Sequence, residues 1–94
     1  MSFDFGDAFM SGVAEAGGTF VAISPGRARI GTDKRTLAIN WEVSGGRFHA
    51  HAGRDTPLLE FACVTDGWEE WQAVDAGRDF AKRAYEIAGR RLGK

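Results

Sequence analysis

Between Thr36 and Ala52 the chain reads TLAINWEVSGGRFHAHA, and this stretch constrains the fold more than any other. Leu37, Ile39, Trp41 and Val43 alternate strictly with Thr36, Ala38, Asn40 and Glu42. That period of two marks a strand with one buried face. Ser44-Gly45-Gly46 interrupts the run, and a two-residue Gly-Gly turn is the natural hairpin connection. Turn length then sets the register. Two residues pair Val43 with Phe48, Trp41 with Ala50 and Ile39 with Ala52, which gathers the apolar side chains on one face. A three-residue turn would set Val43 against Arg47, apolar opposite polar, so the shorter turn is expected. Ile39 and Trp41 are accordingly expected in the core.

The flanking segments supply further strands and a cover. Phe5, Phe9, Val13 and Ala16 recur at helical spacing, with Met10 beside them, and predict a short helix ending at Gly17-Gly18. Gly6 and Gly12 each weaken it by roughly 1 kcal/mol relative to Ala. TFVAIS and RARIG read as strands separated by Pro25-Gly26, with a second turn at Thr32-Asp33-Lys34. After a loop through Arg54-Asp55-Thr56-Pro57, LLEFACV adds a strand whose Leu59, Phe61 and Cys63 extend the apolar face.

Past the Asp66-Gly67 turn, WEEWQAV reads either as a strand or as a helix start capped by Asp66 with Glu69 three residues on. A strand followed by a helix from about Asp75 is the favoured expectation, because Gly77 weakens one continuous helix. Ala76, Phe80, Ala84, Ile87 and Ala88 form the apolar stripe of that final helix. The expected fold class is α+β: a short N-terminal helix, an antiparallel β-meander of about five strands, and a long C-terminal helix packed on one sheet face. Residues 1–94 are expected to form a single domain, since chains divide only well above this length.

Composition limits the function classes. The chain is 44% hydrophobic and 27% charged, which argues against disorder, and its net charge of −1 excludes strong non-specific attraction to nucleic acid or anionic membrane. A single cysteine permits no internal disulfide and, with no apolar run resembling a signal peptide or membrane span, implies a cytoplasmic setting.

Four features carry candidate chemistry. His49 and His51 fall opposite Glu42 and Asn40, away from the apolar face, with Glu60 beyond them. Two imidazoles and two carboxylates are legitimate zinc ligands or proton carriers. Polar cross-strand pairs are nonetheless ordinary on a solvated sheet, so the expectation is a wet, binding-capable face with no metal, no cofactor and no catalytic residue. Cys63 falls on the apolar side and reads as an inert thiol. Arg27, Arg29, Lys34 and Arg35 form a basic hairpin, which reads as a phosphate-facing stripe or as edge protection. Trp68, Glu69, Glu70 and Trp71 place two large anchors beside carboxylates, a composition suited to protein interfaces.

The leading expectation is a small non-enzymatic protein-binding regulator or inhibitor, the kind of stand-alone protein bacteriophages make against host defence complexes. The alternative is a nucleic-acid-binding module using the basic hairpin and the basic C-terminal helix. A weak metal-dependent or acid–base enzyme comes third. A protein partner is expected, no membrane is, and a homodimer is compatible with the sequence.

Overall fold

The computed structural model describes residues 3–16, 19–24, 26–32, 35–53 and 58–92. In chain order the elements are α1 (Phe5–Ala16), β1 (Thr19–Ser24), β2 (Arg27–Thr32), β3 (Arg35–Ser44), β4 (Arg47–Ala52), β5 (Leu59–Val64) and α2 (Glu70–Leu92). The strands form one antiparallel meander in the order β1-β2-β3-β4-β5. Both helices pack against each other on one sheet face, giving the α+β class expected from the sequence. Among the described residues no helix is long and apolar enough to cross a membrane.

The central hairpin has the expected register: Ile39 opposes Ala52, Trp41 opposes Ala50 and Val43 opposes Phe48. Gly45 and Gly46 occupy φ of 60° and 75°, the left-handed region that a two-residue hairpin turn of the primed type requires at both centres. Ile39 is fully buried, whereas Trp41 only leans on the core edge and remains part-exposed. The expectation of a core Trp41 is corrected in that respect. Val43 is on the predicted face but lies beyond the helices' cover and is 50% exposed.

α1 starts where Asp4 accepts the Asp7 backbone N–H on its side-chain Oδ1 at 2.9 Å, an N-cap that satisfies one orphan donor. Its stripe of Phe5, Phe9 and Val13 is buried. Phe9 sits at the centre of an aromatic cluster, its ring centroid 4.7 Å from Phe48, 5.2 Å from Phe61 and 5.5 Å from Phe80. Aromatic pairs at such offsets add about 0.5–1.5 kcal/mol each beyond area burial.

The segment after β5 overturns the expected strand. Residues 70–92 form one helix, running through Gly77. Two local causes account for this. The start is fixed by Glu69 and Gln72 rather than by Asp66: the Gln72 side chain accepts the Glu69 N–H at 2.8 Å, while Gln72 N–H returns to the Glu69 carbonyl at 3.0 Å. The first bond is the Gln72 half of a capping box, displaced three residues from the one read in the sequence, and the second is the backbone bond of the first helical turn. Gly77 acts as a contact surface. A Cβ there would lie 1.8 Å from the Phe9 carbonyl oxygen, and one on Gly12 would lie 1.9 Å from that of Val74. The two helices cross backbone against backbone at these glycines. The buried side of α2 therefore includes Ala73, Gly77, Phe80, Ala81, Ala84 and Ala88, while Ala76 and Ile87 are only part-buried.

Candidate binding surfaces

Side chains alternate across a strand, so the register that buries Leu37, Ile39 and Phe48 puts Arg27, Arg29, Asn40, Glu42, His49, His51, Glu60 and Ala62 on the bare face. One cross-strand row runs Arg27, Asn40, His51, Glu60. Arg27 Nε donates to Asn40 Oδ1 at 3.2 Å, and Asn40 Nδ2 meets His51 Nε2 at 3.3 Å. Arginine can only donate, which turns the Asn40 oxygen toward it and the amide N–H toward His51. His51 Nε2 then accepts, a role open only to the neutral ring protonated on Nδ1. His49 Nε2 contacts Glu60 Oε1 diagonally at 3.0 Å, and the two rings lie 5.9 Å apart.

The four polar residues read from the sequence as one patch share the bare face, but His49–Glu60 is the one hydrogen bond among them. His49 bonds Glu60 and not Glu42, the residue directly opposite it. Glu42, His49 and His51 line an open depression together with Asn40 and Trp41, while Glu60 is not part of its lining. Its groups can exchange protons with solvent and hydrogen-bond a flat partner. Among the described residues no three His, Cys, Asp or Glu side chains converge on a position suited to a metal ion. Cys63 lies on the helix-covered face, and burial pushes its thiol above the ordinary value, which lowers its nucleophilicity near neutral pH.

The tryptophan pair divides. Trp68 turns inward, meeting Phe5 edge-on at 5.0 Å and donating its indole N–H to the Val64 carbonyl at 2.9 Å. Trp71 turns outward and is 60% exposed, its indole N–H held at 2.5 Å by Glu69 Oε2. Glu69 and Glu70 are exposed beside it. Carboxylates there also stabilise the helix start through its dipole. Val64 is 53% exposed where β5 runs into α2. Val43, Val64 and Trp71 are the exposed large hydrophobics among the described residues, and all belong to the end of the sheet carrying the β3–β4 turn and the start of α2. Sequence reasoning missed Val43 and Val64. Their position within two residues of a strand terminus was the available signal.

Arg27 and Arg29 share the bare face and are exposed, as the sequence implied. Lys34 and Lys94, and the side chains of Arg35, Arg90 and Arg91, lie outside the described residues. Comparison with known protein families, curated proteins and solved structures finds no significant match for this chain.

Proposed function

We propose that this protein is a small non-enzymatic regulator or inhibitor that acts by occupying a partner protein's surface. The observation supporting this reading is the exposed Trp71 at the start of α2 with Glu69 and Glu70 beside the indole, next to a sheet end where Val43 and Val64 are exposed on opposite faces. Exposed tryptophan is costly to leave in water and supplies much contact area at little entropic cost, which is why it recurs at interface hot spots. Holding the indole through Glu69 reduces the ordering cost on docking. The shallow, open polar face supports binding over turnover, since a reaction site wants a water-excluding pocket. An inhibitor of the kind bacteriophages make against host defence complexes fits this profile.

A second reading is favoured by one observation. Arg27 and Arg29 stand side by side on a bare sheet face that also carries His49 and His51, an arrangement able to hold phosphates and stack single-stranded bases. Quantitative capture from host lysate separates the two. Under the protein-binding reading, Trp71→Ala and the pair Glu69→Lys with Glu70→Lys each deplete one specific protein partner, while Arg27→Glu with Arg29→Glu leaves it bound. If only the arginine pair matters and nucleic acid is retained with steep salt dependence, the protein-binding reading is wrong.

A further inference from the structure

The hydrogen-bond phase of the sheet can be read from its ends. Thr65 N–H donates to the Gly46 carbonyl at 2.9 Å, which continues the β4–β5 register by one pair beyond Arg47–Val64. Directly opposed residues in an antiparallel ladder alternate between exchanging hydrogen bonds and not doing so. Phe48–Cys63 and Ala50–Phe61 are therefore bonded pairs, and at the ladder's end the Ala52 carbonyl accepts the Leu58 N–H at 2.8 Å. Glu60, Ala62 and Val64 must turn their N–H and C=O groups away from β4, toward the free edge. The Trp68 indole confirms the phase independently, because it reaches the Val64 carbonyl from outside the ladder.

The two edges of the sheet are not alike. Along β1 the pairing shifts between Ala22 and Ser24, an irregularity of the kind that keeps edges from pairing further. Along β5 six consecutive pairs are regular. Its outward groups at Glu60 and Ala62 have no partner among the described residues, both residues are exposed, and Leu59, Phe61 and Cys63 beside them are only part-buried. Natural sheets rarely leave such an edge uncovered.

We infer that β5 pairs with β5 of a second copy of this chain, joining the two sheets across a two-fold axis at Phe61. The register is determined by the chain itself. Keeping both helix layers on one side requires odd residues opposite odd ones. Placing Ala62 on the axis would call on the Val64 carbonyl that Trp68 already holds. Placing Phe61 on the axis uses only the free groups: Glu60 exchanges hydrogen bonds with Ala62 of the other copy, Leu59 faces Cys63, and the two Phe61 rings meet. No like charges oppose each other directly, because each Glu60 faces an alanine and already pairs with its own His49. The contact extends the cluster of Phe9, Phe48 and Phe61 across the axis. This inference is independent of the proposed function.

Sedimentation equilibrium over a wide concentration range tests it. The wild-type chain is expected to form a reversible dimer. Ala62→Pro removes an outward N–H, which an edge strand tolerates, so the fold should persist while dimerisation weakens at least about tenfold. Should its circular dichroism show lost helix, Ala62→Glu replaces it and sets a like charge directly opposite Glu60 of the other copy. Leu59→Cys reports the register: Cα atoms of such facing pairs lie roughly 4.5 Å apart, within disulfide reach. The introduced thiol and Cys63 of the other copy should give up two electrons and two protons to diamide and form an intermolecular disulfide. Cys63→Ser in that background should abolish it. A wild-type monomer at every concentration, a dimer indifferent to both Ala62 variants, or no cross-link in Leu59→Cys would each overturn the inference.

Discussion

Replacing Gly77 by alanine is the sharpest test of how the two helices meet. On propensity alone the change should help, since alanine is favoured over glycine inside a helix by about 0.8–1.0 kcal/mol. Packing opposes it. The new methyl would lie 1.8 Å from the Phe9 carbonyl oxygen and 2.7 Å from the carbonyl carbon, and these are backbone atoms that cannot rotate aside. Restoring an ordinary contact means separating the helices by roughly 1.5 Å at their crossing, enough to forfeit a large part of each dispersion contact there. The layer so opened holds Phe9, Val13, Ala73, Phe80 and Ala81, all buried. Overpacking of this kind costs typically 1–3 kcal/mol and more where backbone must move, so about 3–4 kcal/mol is a fair gross figure. Subtracting the propensity gain leaves a net loss of about 2–3 kcal/mol. For a domain of this size that lowers Tm by roughly 8–24 °C.

Thermal and urea denaturation of Gly77→Ala, followed by circular dichroism, supply the measurement. Gly12→Ala should behave alike, because its methyl would meet the Val74 carbonyl oxygen at 1.9 Å. The double variant should lose less than the sum, since helices already parted have already lost the contact. Gly6→Ala is the control: its methyl meets the Trp41 indole at 3.2 Å, a side chain that can move, so stability should hold or rise by up to about 1 kcal/mol. A Gly77→Ala protein melting at or above the wild-type temperature would refute the close crossing.

Three further outcomes are expected. Asp4→Ala removes the α1 cap and should cost about 1 kcal/mol in urea denaturation, while Asp4→Asn, which keeps the accepting oxygen, should cost little. Trp68→Ala should destabilise by about 3–5 kcal/mol and Trp71→Ala by less than about 0.5 kcal/mol, because one ring packs on Phe5 and the other stands in water. Burial raises both the Cys63 thiol and the Tyr85 phenol above their ordinary values, so stability from these groups is complete below those values and is lost as pH rises through the raised ones. The urea midpoint should therefore fall on the alkaline side, and less steeply in Cys63→Ala.

How much of the molecule the sequence disclosed depended on the range of the interaction involved. The β3–β4 hairpin was legible because its determinants are local: strict alternation and two glycines fix one register, and Glu60 then follows opposite His51. α2 was misread for the opposite reason. In the local view Gly77 is a residue that weakens helices. Its actual role is set by Phe9, sixty-eight positions earlier in the chain, and no short-range rule can express that dependence. Gly12 was undervalued in the same way, so the two helical glycines that seemed liabilities form the crossing.

The surface follows the same division. Alternation alone put His49, His51 and Glu60 on one face, but it could not choose between Glu42 and Glu60 as the partner of His49. Which rotamer reaches which neighbour depends on strand twist and on Asn40 being already committed between Arg27 and His51. The tryptophans show it most clearly. Trp68 and Trp71 are three apart and chemically identical, yet one is taken by a pocket beside Phe5 and Phe61 and the other is left outside. Composition near a turn therefore proposed the right segment for recognition and could not say which ring would carry it. The cap at Glu69 decides this, because once α2 starts there the helical period sets Trp71 two residues before the buried Ala73 and on the opposite side of the helix.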